Sequence, residues 1–174
     1  MKLLIVTQAV DLDDPVLGFF HRWIEEFARH FEHIHVICLR EGRHQLPQNV
    51  SVYSLGKESG RSRIKYVIRF YRYIFELRKE YEAVFVHMNQ EYVLLGGLVW
   101  RFWKKRTVLE RNHKMGTWLT RVACALVDTV DYTSSSAYVA RCKNAKKTPI
   151  GIDTEVFSPG GSRNQRSEEH TSEL

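Results

Sequence analysis

The residues that could do chemistry stand where apolar runs stop. Lys2-Leu3-Leu4-Ile5-Val6-Thr7 runs into the loop Gln8–Gly18, and Gly18 opens the amphipathic segment that follows. In open α/β sheets ligands bind where strands end and helix N-termini point, so this loop is the first place to look. His87 ends a second apolar run, Ala83–Met88. An imidazole at a strand end can hydrogen-bond a hydroxyl or stabilise developing charge, or it can be a satisfied core histidine. Arg111, His113 and Lys114 follow a third run, Thr107–Glu110, and form either a rim for an anionic partner or a solvated basic loop. His21 sits one residue off the apolar stripe of the first helix. Asp11-Leu12-Asp13 offers two carboxylates at a spacing that can hold a divalent ion. Capping and turn formation account for them better, and no metal is expected. No G-x-G-x-x-G, Ser-His-Asp, Cys-His or Walker pattern is present.

The elements that must position these residues alternate. A near-continuous apolar first run suits a strand buried on both faces. Asp14-Pro15 reads as N-cap and first helical residue, and Phe20, Trp23, Ile24, Phe27 and Phe31 then fall on one helical stripe. Ile34–Leu39 and Val50–Leu55 read as strands, the second nearer an edge. Arg61–Glu80 is a helix with two apolar stripes: Ile64, Val67, Ile68, Tyr71, Ile74 and Phe75, and beside them Tyr66, Phe70, Tyr73 and Leu77. Arg61, Lys65, Arg69 and Arg72 occupy its remaining face. One stripe faces the sheet; the other makes either a wide core contact or a basic, aromatic surface for an anionic membrane. Further helices are expected at Tyr92–Trp103, Trp118–Val127 and Ala137–Lys143, and further strands at Thr107–Glu110 and Thr129–Thr133. A short strand is expected from Thr148. Strands alternating with helices predict a doubly wound, mostly parallel, Rossmann-like α/β sheet.

Composition bounds the reading. The 174 residues allow one domain with a proper core, and 44% apolar content with 12% aromatics excludes disorder. The longest uncharged apolar stretch, Tyr92–Trp100, is too short to span a bilayer. No signal peptide is expected at the start. Cys38, Cys124 and Cys142 share no metal or redox spacing and read as reduced thiols of a cytoplasmic protein. The net charge is +6; the last nine residues hold one Arg and three Glu, so the rest carries +8. That balance suits an anionic partner. The basic residues scatter over several helices without a recognised module, which argues against nucleic acid.

Near its end the chain resembles a known family. Ile150-Gly151-Ile152-Asp153-Thr154-Glu155-Val156-Phe157-Ser158-Pro159 is similar to the motif that closes the N-terminal domain of family 4 glycosyltransferases of the GT-B fold. There it reads Asn-Gly-Ile/Val-Asp, three residues, Phe, one residue, Pro; here Pro149-Ile150 replaces the usual Pro-Asn. A Gly-containing turn after the first strand, a His ending a middle strand and the stretch Tyr132–Ser136 fall in the family's order, so the resemblance covers residues 2–159.

The resemblance implies the acceptor-side half of a retaining glycosyltransferase, inactive alone. Its donor, a UDP- or GDP-sugar, would be held by a missing C-terminal domain, and this fragment would carry no cofactor itself. His87 would contact the donor sugar or reacting centre. Gly18 would bring backbone N–H groups near the donor diphosphate, although the family often has two glycines there. His21, Arg111, His113 and Lys114 would meet a saccharide or lipid-linked acceptor, at the inner membrane face if the helix reading holds. Metal-dependent sugar transferases place their Asp-x-Asp late in the nucleotide domain, not after the first strand. Residues 1–159 would form the domain and 160–174 a disordered tail. Arg166–Leu174 looks like the translation of a sequencing-adapter oligonucleotide. A non-catalytic Rossmann-like binding or partner module is the alternative.

Overall fold

The computed structural model describes residues 1–60, 62–149 and 151. Strand β1 (Lys2–Val10) leads to helix α1 (Phe19–Ala28), then β2 (His33–Glu41) and β3 (Val50–Ser54). Helix α2 (Arg63–Glu76) precedes β4 (Ala83–His87), α3 (Gln90–Phe102), β5 (Arg106–Glu110), α4 (Trp118–Leu126), β6 (Thr129–Tyr132) and β7 (Ala145–Lys147). Short 3-10 turns fill Lys57–Ser59 and Tyr138–Arg141. The seven strands lie in the order β3-β2-β1-β4-β5-β6-β7, and every neighbouring pair is parallel. The expected Rossmann-like α/β architecture is therefore present. The chain winds outward from β1 through β3, then returns to the other side of β1. This reversal puts the topological switch point between β1 and β4.

Alternation along the strands separates two cores. Leu4, Val6, Val84, Val86 and Leu109 point toward Phe70, Ile74 and Trp100 of α2 and α3. Leu3, Ile5, Val36 and Cys38 point toward Phe20 and Ile24 of α1. Being covered on both sides makes β1 a continuous apolar run from Leu3 to Val6. Trp100 Nε1 donates to the Tyr81 hydroxyl at 3.2 Å, which keeps both polar tips satisfied in the larger core.

Several boundaries differ from the sequence reading for local reasons. Strand β1 runs on to Val10 because its ladder continues through Ala9↔Arg40 and Val10↔Glu41, so the loop begins at Asp11 rather than Gln8. Asp14 does not cap the long helix. Its Oδ1 accepts from Val16 and Leu17 N–H, and its carbonyl accepts from Gly18 N–H, which closes a separate turn before α1 starts at Phe19. Helix α2 is shorter than expected, with Ser62 at its N-cap accepting from Lys65 N–H and Leu77 at its C-cap. The expected helix at Ala137–Lys143 is only the 3-10 turn; the last strand among the described residues is β7, and most of the segment from Thr148, where a short strand was expected, lies outside them. Arg61, Ile150 and residues 152–174, with most of the closing motif and the tail, lie outside the described residues.

Candidate functional site

All strands being parallel, their carboxyl ends and the N-termini of α1 to α4 share one edge. At the switch point Gln8 Nε2 donates to Asn89 Oδ1 at 2.7 Å and bridges β1 to β4. Between them Met88 holds a left-handed φ of 62°. A non-glycine residue keeps such a backbone only where its surroundings fix it. Met88 N–H donates to the Glu110 carbonyl, and Arg111 Nη1 donates to the Met88 carbonyl. The same guanidinium donates through Nη2 to the Met115 carbonyl, so Arg111 ties the loops after β4 and β5 together.

His87 lies beneath this edge. Its ring is 2% exposed, stacks on Phe20 at 3.8 Å with an interplanar angle of 4°, and pairs through Nδ1 with Thr7 Oγ1 at 3.1 Å. Burial pulls its pKa down to about 4, so the imidazole is neutral at ordinary pH. Strand pairing sets His87 opposite Glu110, whose carboxyl is also buried. Glu110 Oε2 finds no hydrogen-bond partner among the described residues, and Asn112 Nδ2 donates to Oε1. Burial, with the charge of Asp131 on the next strand, pushes the Glu110 pKa up to about 7. The sequence offered one sign of Glu110: it ends its strand in the same register as His87.

Gly18 is needed for space. A Cβ there would stand 2.7 Å from the Asp14 carbonyl and 3.1 Å from the Leu12 carbonyl. Its N–H is already bonded to Asp14, so this amide does not extend toward a phosphate. The acidic turn is likewise internally paired. Asp13 takes a bidentate contact from Arg43, and Asp14 and Asp11 both face Arg40. The Arg43 hydrogen bond holds the Asp13 carboxyl below its usual range, and the Leu17 and Val16 amides do so for Asp14. Among the described residues no group of three or more His, Cys, Asp or Glu is placed to hold a metal ion.

The other expected contacts divide. His21 is turned under α1, 3% exposed, with Nε2 accepting from Gln45 N–H at 3.1 Å and Nδ1 3.4 Å from Glu25. It braces the connection between β2 and β3 and does not present itself at the edge. His113 and Lys114 are exposed, with His113 Nδ1 accepting from Met115 N–H. Around them lie apolar side chains that sequence reasoning did not single out. Val16, Phe19, Met115 and Trp118 are 71%, 50%, 72% and 71% exposed. The contacts Phe19–His87, Arg111–Met88 and Arg111–Met115 link Phe19 and Met115 along this edge, with Val16 three positions before Phe19 and Trp118 three after Met115 in the chain. An exposed apolar patch with cationic neighbours at a switch point is an unusual surface for water alone.

Neither protein-family models nor curated proteins match this sequence. Solved structures do. HepE of Anabaena, solved with UDP and with UDP-glucose, aligns at a TM-score of 0.60 and 18% identity, over 91% of this chain and 47% of its own. The lipopolysaccharide outer core galactosyltransferase WaaB aligns at 0.53 and 12%, over 88% and 47%. A UDP-GlcNAc 2-epimerase from Methanocaldococcus jannaschii aligns at 0.51 and 15%, over 79% and 40%. The fold is the Rossmann-like unit found in GT-B glycosyltransferases. The chain spans less than half the length of each of these proteins.

Proposed function

We propose that this chain is the acceptor-side half of a family 4 glycosyltransferase, moving a sugar from a UDP- or GDP-sugar to a saccharide or lipid-linked acceptor. The donor would sit in a second domain following this one, and the half is inactive alone. The observation that carries this reading is the exposed edge built from Phe19, Met88, His113, Lys114, Met115 and Trp118. An aromatic ring stacks on a sugar face, apolar side chains accept a lipid, and a cation meets a phosphate. The fold alone does not choose this chemistry, since an epimerase shares it. An epimerase, however, acts on one substrate, and an edge suited to a second substrate favours transfer.

In this reading His87 is a neutral hydrogen-bonding group below the reacting centre, held by Thr7 and Phe20, and reaches substrate when Phe19 and Phe20 shift. Arg111 fixes the edge, and His113 and Lys114 touch the acceptor. Helix α2 supports a peripheral position on an anionic membrane at its cytoplasmic face. Ile64, Ile68 and Phe75 of its first stripe are exposed, while Ile74 of that stripe and Phe70 of the second are buried in the core. Phe102 of α3 is 83% exposed, beside Phe75 through the Trp103 ring. Among the described residues no helix is long and apolar enough to cross a membrane.

The test is enzymatic. The isolated chain should transfer no sugar, and joining it to the domain encoded downstream of Ser158 should give acceptor-dependent release of UDP or GDP. Donor turnover without an acceptor would assign the fold to epimerisation instead, and an absence of any downstream α/β domain would leave a binding module.

A further inference from the structure

Cys124 near the end of α4 and Cys142 after the last 3-10 turn are 18 residues apart in sequence, yet their sulfurs lie 2.6 Å apart. Both are free thiols, the first buried and the second half-buried. That separation is well inside ordinary sulfur–sulfur contact and close to the ~2.05 Å of a disulfide. The backbones carrying them are fixed to each other. Asn144 Nδ2 donates to the Cys124 carbonyl at 2.9 Å and to the Val127 carbonyl at 2.8 Å, and Cys142 N–H donates to the Val139 carbonyl at 2.9 Å. The pair also has an approach. A cleft of about 500 Å³ lies over it, lined by Arg121, Tyr138, Arg141 and Lys143 as well as by both cysteines.

We propose that Cys124 and Cys142 form a reversible redox pair, closed to a disulfide by exchange with a small anionic disulfide of the glutathione class. The cleft fixes the order of events. Burial and the neighbouring sulfur push the Cys124 thiol up to about 12, so the more open Cys142 is the sulfur that attacks. Arg121, Arg141 and Lys143 line the cleft over it and draw in an anionic disulfide. The Cys142 thiolate attacks one sulfur of oxidised glutathione, that S–S bond breaks, and one glutathione leaves as thiolate. Cys124 then gives its proton to solvent and attacks Cys142 Sγ, expelling the second glutathione. Two protein thiols are oxidised and one glutathione disulfide is reduced to two thiols, which balances atoms and electrons. Cys38 takes no part: it is fully buried beneath α1, and burial raises its thiol well above the ordinary range. The closed bridge would join α4 to the segment entering β7 and clamp that end of the sheet.

The experiment uses the native chain in buffers of reduced and oxidised glutathione, quenched with an alkylating agent and read by peptide mass spectrometry. The expected result is a Cys124–Cys142 cross-linked peptide that carries no alkyl group, and that in excess reduced glutathione gives way to two alkylated cysteines, while Cys38 never reacts. The oxidised chain should melt higher, on the order of 5–10 °C, since the bridge closes a loop of about this length. Cys124→Ser should instead trap one glutathione on Cys142. A lasting glutathione adduct on Cys142 in the unaltered chain would overturn the proposal. So would two thiols that stay free in excess oxidised glutathione, or a bridge that forms only in urea.

Discussion

His87 on β4 and Glu110 on β5 face each other across one strand pair, with Nε2 3.8 Å from Oε2 and both side chains buried. Thr7 and Phe20 enclose the imidazole from β1 and α1, and Asp131 and Asn112 flank the carboxyl. Their titrations oppose each other. Glu110 is raised from an ordinary 4.5 to about 7, so the stability it contributes is full below 4.5 and lost as pH rises through 7. His87 is lowered from 6.5 to about 4, so its contribution is full above 6.5 and lost as pH falls through 4. Each difference corresponds to about 3 kcal/mol. Between pH 4.5 and 6.5 these two slopes cancel, so the pair adds nearly nothing to the pH dependence of the unaltered chain, and each variant is read against that chain. Glu110→Gln should leave the His87 slope alone, with stability falling by up to about 3 kcal/mol from pH 6.5 to 4. His87→Gln should reverse it, with stability falling from pH 4.5 to 7. Urea unfolding across this range decides the matter, and parallel profiles for the two variants would refute the pairing.

This pair marks where sequence reading reaches and stops. The strands were legible because burial on both faces makes them apolar runs, and the alternation of runs with stripes gave the Rossmann-like order. His87 was found because it ends such a run. Its burial was not legible, since that depends on α1 laying Phe20 flat on it, and Phe20 looked like any member of a helical stripe. The burial of His21 was not legible either, because its partner, Gln45, comes from a loop 24 positions later. Cys124 and Cys142 meet only through the packing of α4 against the turn before β7. The exposed Met115 and Trp118 gave no signal at all, because exposure is a property of the assembled edge.

Gly18→Ala separates two uses of a glycine. The added methyl group would meet the Asp14 carbonyl, which closes the turn after β1, at 2.7 Å and the Leu12 carbonyl at 3.1 Å. Neither can yield as a side chain would, so the turn must open. The expected cost is about 1–3 kcal/mol, seen as a fall in Tm of the isolated chain. If Gly18 served only to let a diphosphate approach, Tm would stay and only donor affinity in the two-domain protein would fall.

Trp118 and Lys114 are the sharpest test of the acceptor edge. Both are exposed, and no described contact makes either one structural. Trp118→Ala and Lys114→Glu should therefore leave thermal stability within about 0.5 kcal/mol. In the two-domain protein they should raise the acceptor KM by about 10-fold or more, which is the loss of roughly 1.4 kcal/mol of contact, and leave the donor KM unchanged. A donor KM that rises in step would place these residues on the other substrate.

The exposed N-terminal part of the first α2 stripe gives the last prediction; Ile74, further along the same stripe, is buried in the core. Ile64 and Ile68 are 74% and 62% exposed, one helical turn apart, with Lys65 and Arg72 beside them. Leaving two isoleucines in water is tolerable for a soluble helix, but pairing them with cations and with Phe75 makes a face that fits an anionic bilayer surface. Each basic residue at such a surface contributes about 1 kcal/mol, and the attraction weakens as salt shortens the Debye length. The chain should sediment with vesicles of mixed neutral and anionic phospholipid at low salt, less so at 0.5 M salt (a Debye length of about 4 Å), and not with neutral vesicles. Ile64→Glu with Ile68→Glu should abolish sedimentation without changing Tm, because neither side chain is in the core. Retained binding in this variant would move the contact to the apolar carboxyl edge, where Met115→Glu and Trp118→Glu would then remove it.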